Sequence, residues 1–71
     1  MNAHADKKLT NREHQVLQAV WDGLSVKALA SRLNLSARTV EYHKSMILRK
    51  WHCRSMLAAC RLALKRRYLK I

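Results

Sequence analysis

Arg38, Tyr42, Ser45 and Arg49 recur at intervals of three and four residues, with Glu41 and Met46 beside them. On a helix, such spacing gathers side chains on one face. Guanidinium, phenol, hydroxyl and carboxylate groups are those that hydrogen-bond base edges and phosphate oxygens in duplex nucleic acid. A solvated helix face more often mixes Glu with Lys. The spacing alone leaves a second reading open, in which these residues are simply exposed.

Other chemistries find little to work with. The four acids, Asp6, Glu13, Asp22 and Glu41, are scattered. There is no paired carboxylate, Gly-rich phosphate loop or nucleophile motif to assemble into an active site. The expectation is a chain that is not an enzyme and needs no cofactor. His43, His52 and Cys53 could be imagined as a metal site, but their spacing matches no zinc pattern. His43 lies near the core side of its helix and reads as a packed or phosphate-touching histidine.

Size and charge narrow the choice. The chain has 71 residues, with 15 Lys+Arg against 4 Asp+Glu and a net charge of +11. Nothing after Glu41 is acidic. That field favours a polyanion, nucleic acid first and an anionic membrane surface second. A domain this small buries only about 60% of its unfolded surface, enough for one core. No apolar run approaches the roughly 20 residues of a membrane span, and no signal-peptide pattern opens the chain. With no proline, one glycine and few β-branched residues, the composition predicts an all-α fold. Cys53 and Cys60 read as small core thiols rather than a bridge.

The elements that must position the reactive face follow from local signals. Met1–Lys8 is polar and aperiodic and reads as a flexible arm or linker, which leaves 9–71 as the domain. Leu9–Gly23 is the first helix. Thr10 and Glu13 form a capping box, Val16, Leu17, Val20 and Trp21 the apolar stripe, and Gly23 the left-handed end on which Leu24 folds back. Ser25 caps a second helix to Leu33, with Leu29 and Leu33 inward and Lys27 and Arg32 outward. Lys27 stands in the first turn, where it and the helix amides could meet one phosphate. Asn34 tolerates the left-handed corner, and Ser36 caps the third helix. Short helix, corner and second helix make a helix-turn-helix over Ser25–Trp51, with Ala30 small enough for close approach. On the third helix Val40, His43, Ile47 and Trp51 share the inner face. Ser55 caps a last helix, Met56–Tyr68 or slightly longer. Leu57, Cys60 and Leu64 are expected to face the core. Ala58, Leu62 and Leu69 lie on another side, an apolar stripe that suits the same helix of a second copy. Lys65, Arg66, Arg67 and Lys70 place cations where they suit the helix dipole. The expected architecture is a four-helix bundle containing a helix-turn-helix.

The string Leu9-Thr10-x-Arg12-Glu13-x-x-Val16-Leu17, then Gly23-Leu24-Ser25-x-Lys27-x-Leu29-Ala30-x-x-Leu33-x-Leu35-Ser36-x-x-Thr39-Val40-x-x-His43-x-x-x-Ile47, resembles the LuxR-type helix-turn-helix domain. The likeness runs from Leu9 to about Leu64, and LSARTVEYH is closest to the FixJ-like branch of response regulators. The resemblance implies a bacterial transcription regulator that works in the cytoplasm, on the nucleoid. Its third helix would enter the major groove and its fourth form the dimer contact. The implied partners are double-stranded DNA, a second copy and, for a regulator, RNA polymerase; no membrane is implied. Glu41, Tyr42 and Ser45 match base-facing positions. Lys27, Thr39 and His43 match positions at the phosphate backbone, to which Lys44 is added. Helix geometry adds Arg38 and Arg49 to the base-reading set. Ala58, Leu62 and Leu69 fall where the dimer contact would form.

Several positions depart from that pattern. Val26 and Ala28 replace a polar residue and an acid. Trp21 and Trp51 are bulkier than usual and imply a repacked core. The glycine expected after Leu64 is missing, so a basic helix is expected to continue there. Two other function classes stand beside the DNA-binding reading. One is the −35-binding module of a sigma factor, which would bind core RNA polymerase. The other is a small interaction protein that pairs its last helix with another regulator. A membrane-active helix over Ser55–Ile71 is disfavoured, because its apolar and basic residues are mixed around the helix.

Overall fold

The computed structural model describes residues 8–69. They form α1 (Asn11–Trp21), α2 (Val26–Leu33), α3 (Ala37–Trp51) and α4 (Met56–Lys65), with no strand among them. The expected arm, apart from the exposed Lys8, lies outside the described residues, as do Lys70 and Ile71.

Each helix opens on a side-chain oxygen. Thr10, Ser25, Ser36 and Ser55 accept from the amides of Glu13, Ala28, Thr39 and Ala58, three residues on. This satisfies an amide that the first turn leaves without a helical partner. Glu13 completes the capping box, its Oε1 accepting from the Thr10 amide at 2.9 Å.

The four helices also end alike. The amides of Leu24, Leu35, Cys53 and Tyr68 reach back to the carbonyls of Ala19, Ala30, Leu48 and Ala63, at 3.0, 2.8, 3.0 and 2.9 Å. Each follows a residue with positive φ: Gly23 at 92°, Asn34 at 58°, His52 at 52° and Arg67 at 61°. This is the left-handed closure that captures carbonyls of the last turn. Gly23 and Asn34 suit it by type. Arg67 adopts it without the help of a glycine, and this corrects the expectation of a longer last helix. α4 stops at Lys65, and the chain turns back instead of continuing as a basic rod.

Behind that turn, Tyr68 docks on the bundle. Its ring meets Trp51 edge-on at 5.4 Å and His14 at 5.8 Å. Its carbonyl lies 2.6 Å from His14 Nε2. A carbonyl only accepts, so Nε2 carries the proton.

The core joins all four helices. α1 contributes Val16, Leu17 and Ala19, α2 Leu29 and Ala30, and α3 Val40, Ile47 and Trp51. From α4 come Ala59, Cys60 and Ala63, with Leu69 beyond it. Small residues on the inner face of α4 let it lie close to α1 and α3, the helices it contacts, while Trp51 and Tyr68 fill the volume at its end.

Three expectations change here. Leu57 points to solvent, 64% exposed, because Ala59 and Ala63 define the inner face. Leu69, expected on an outward stripe for a second copy, lies past the helix end. It is buried in the core of its own chain at 8% exposure, which leaves it almost no surface for a dimer contact. Trp21 is exposed at the α1 end and is not part of the buried stripe. Cys60 and Leu64 pack as expected, buried and half-buried, and both cysteines are free. Burial pushes both thiols above their ordinary pKa, so neither is set up as a nucleophile.

Candidate nucleic-acid interface

α3 is the element around which the others are set. It packs against α1, α2 and α4, through Val40, Ile47 and Trp51. With 15 residues at about 1.5 Å each it is roughly 22 Å long. A major groove about 12 Å wide admits such a helix lengthwise. Its orientation is fixed by hydrophobic packing and by one ion pair: Lys50 Nζ lies 2.6 Å from Glu13 Oε1 on α1. Both side chains are largely enclosed, at 18% and 6% exposure. Burial alone would raise the Glu13 carboxyl. The Lys50 and Thr10 hydrogen bonds and the Lys50 charge outweigh that and hold it below its ordinary pKa. Neither residue was assigned this role from sequence. They stand 37 positions apart, and no local spacing rule joins them.

Arg38, Glu41, Tyr42, Ser45 and Arg49, the residues expected to read bases, are all exposed on α3. Tyr42 is 58% exposed, an unusual place for so large a ring. The His43 ring meets it edge-on at 5.7 Å and restricts it. Glu41 faces Lys44 at 3.7 Å. At this distance and exposure the pair adds little stability, but the ammonium offsets the acid on a face otherwise cationic.

The phosphate candidates are divided. Lys27 is exposed in the first turn of α2, beside an amide end capped only by Ser25. Thr39, His43 and Lys44 are half-buried on the flanks of α3. Ser36 Oγ donates to Thr39 Oγ1 at 2.9 Å while accepting from the Thr39 amide at 3.0 Å. The Thr39 hydroxyl, with another hydroxyl as its partner, keeps both donor and acceptor capacity towards an outside group such as a phosphate oxygen. Arg12, which sequence reasoning left without a task, reaches the Leu33 carbonyl at 3.5 Å and braces the corner between α2 and α3.

On α4 the residues expected at a dimer contact separate. Ala58 and Leu62 keep partial exposure, whereas Leu69 does not. Leu57, Arg61 and Lys65 are exposed on the outer side of the helix.

Among the described residues no group of His, Cys, Asp and Glu is placed to hold a metal ion. No described helix is long and apolar enough to cross a membrane. A groove of about 370 Å³, lined by His14, Gln18, Arg32, Leu33 and Tyr68 among others, takes no residue from α3. It is therefore separate from the basic face.

Known proteins are similar to this chain in sequence. The nitrate/nitrite response regulator protein NarP of Escherichia coli is 48% identical over 59 residues, 83% of this chain and 27% of NarP. The transcriptional regulatory protein FixJ of Rhizobium meliloti is 43% identical over 56 residues, 79% of this chain and 28% of FixJ. The uncharacterized response regulatory protein YgeK of Escherichia coli is 39% identical over 61 residues, 86% of this chain and 42% of YgeK. The chain thus spans well under half the length of these curated relatives. Residues 7–63 match the family described as "Bacterial regulatory proteins, luxR family". That match takes in α1, α2, α3 and most of α4, and the chain belongs to the luxR family of bacterial regulatory proteins as a helix-turn-helix DNA-binding domain.

Proposed function

We propose that this chain regulates transcription by reading duplex DNA sequence, with α3 lengthwise in the major groove and two copies on paired half-sites. The observation that carries the reading is the division of α3. Val40, Ile47 and Trp51 are buried, while Arg38, Glu41, Tyr42, Ser45 and Arg49 all stand outward. The tyrosine between two arginines stays 58% exposed with one ring contact, to His43, and groups of these types hydrogen-bond or pack on base edges. Lys27, Thr39, His43 and Lys44 flank this face and suit phosphates on either side of the groove. A net charge of +11 draws the chain to the duplex before any base is read.

The second copy would meet the first through α4, at Ala58 and Leu62, with Leu57 in place of the buried Leu69. Helix-turn-helix dimers set their recognition helices about 34 Å apart, one DNA turn. Such a dimer works on the nucleoid, in the cytoplasm, with RNA polymerase as the machinery it regulates.

A salt series of gel shifts with specific and scrambled duplexes tests this. Affinity for both falls with salt as counterion release weakens, and the specific duplex stays ahead. Lys27→Ala weakens binding to both duplexes alike and flattens the salt slope by about one contact. Tyr42→Ala narrows the gap between them. Equal affinity for every duplex, or the opposite pattern in the two variants, overturns the reading.

A further inference from the structure

We propose that α3 selects its half-site with hydrogen-bond acceptors: Glu41 and Ser45 each take an amino hydrogen from a cytosine N4 or an adenine N6, about two base pairs apart. This rests on the reading that α3 lies in the major groove, and it adds which base edges the helix accepts.

Serine is ordinarily ambivalent towards bases, because its hydroxyl both donates and accepts. Here Ser45 Oγ donates its proton to the Tyr42 carbonyl at 2.8 Å, one turn back along the helix. A hydroxyl has one proton, so only lone pairs remain to face outward. Ser45 is exposed and sits between the two arginines of the face. Against guanine O6 and N7 or thymine O4 it would set lone pair against lone pair. Against an adenine or cytosine amino group it makes a hydrogen bond.

Glu41 has the same polarity by charge, since a carboxylate only accepts. It is 60% exposed on the same face. An acid aimed at a polyanion meets repulsion, which Lys44 at 3.7 Å partly offsets. Four residues along a helix advance about 6 Å, close to two base-pair steps of about 3.4 Å.

Thr39 supplies the contrast. Its partner is the Ser36 hydroxyl at 2.9 Å, which can donate or accept, so Thr39 keeps both senses. Of the two hydroxyls of α3, only the central one is held as an acceptor by a carbonyl. Arg38 and Arg49, donors only, complement Glu41 and Ser45 with guanine edges to either side.

The test is selection of bound duplexes from a random pool with the full chain, repeated with Ser45→Ala and Glu41→Gln. The selected site is then remade without the amino group at the two base pairs, with purine in place of adenine or 2-pyrimidinone in place of cytosine. Ser45 and Glu41 are exposed, and circular dichroism verifies that both variants fold. The expected result is a half-site with two base pairs, two steps apart, whose amino group the wild type requires. Ser45→Ala lowers discrimination at one of them by about five- to tenfold, and the amino-deleted base costs the wild type a similar factor there. Glu41→Gln shifts the other towards adenine, whose N6 and N7 suit an amide. Affinity indifferent to removal of the amino groups at both positions, or a preferred site unchanged by Ser45→Ala, overturns the proposal while leaving sequence-specific binding intact. A pool without any preferred sequence overturns both.

Discussion

Glu13 Oε1 receives the Thr10 amide at 2.9 Å and the Lys50 ammonium at 2.6 Å, so one carboxylate oxygen closes the start of α1 and ties α3 to it. The carboxyl is held below its ordinary pKa. Its contribution to stability is therefore complete above the unfolded value of about 4.5. That contribution disappears as pH falls through the lower folded value. Thermal melts should show Tm dropping below about pH 4.5, with the drop reduced in Glu13→Gln. At neutral pH Glu13→Gln should cost roughly 2–3 kcal/mol, since it leaves Lys50 enclosed without its counter-charge. Glu13→Ala should cost more, because the cap is lost as well. A melt of Glu13→Gln superimposable on wild type at pH 7 contradicts this account of how α3 is fixed.

The end of α4 gives a prediction of opposite sign. Arg67 holds φ at 61°, where a side chain is unfavourable and glycine is not. Arg67→Gly should stabilise the domain by up to about 1 kcal/mol, measured by urea denaturation. Tyr68→Ala should cost about 2 kcal/mol, because the ring packs on Trp51 and His14. Loss of stability in Arg67→Gly would mean that the arginine side chain outweighs the strain of its backbone.

These two regions mark the limits of what the chain disclosed before its fold was in view. The helix starts were legible because Thr10, Ser25, Ser36 and Ser55 act within three residues of themselves. The corner at Asn34 and the stop at Gly23 were legible for the same reason. The two faces of α3 were legible because its apolar residues are large and regularly spaced. α4 misled because its inner face uses Ala59 and Ala63, while large leucines lie elsewhere; periodicity weighs size, and a close helix contact needs smallness. Leu69 misled because the left-handed turn at Arg67 came from tertiary docking of Tyr68 and not from a glycine. The Glu13–Lys50 pair was hidden by its separation along the chain. On α3 the exposure of Arg38, Glu41, Tyr42, Ser45 and Arg49 was legible from spacing, whereas the polarity of the Ser45 hydroxyl required coordinates.

The proposed pairing through α4 carries an electrostatic prediction. Arg61 and Lys65 are exposed on the outer side of the helix that carries Ala58, and no acid follows Glu41 to balance them. Two copies should therefore repel in dilute salt and pair more readily where a duplex holds them side by side. Sedimentation should find the free chain monomeric at low salt and two copies on a duplex with paired half-sites. Ala58→Gln, bulkier and neutral, should reduce the second binding event about tenfold or more while leaving single half-site affinity nearly unchanged. Two copies bound equally well by Ala58→Gln would place the contact elsewhere.

Whether the outward face of α3 meets the bases is decided by titrating isotope-labelled chain with a selected duplex and following its amide and side-chain NMR signals. The largest shifts are expected at Arg38, Glu41, Tyr42, Ser45 and Arg49, smaller ones at Lys27 and Thr39, and little change along the groove between His14 and Arg32. Shifts concentrated in that groove or on the outer side of α4, with α3 unperturbed, would contradict that contact.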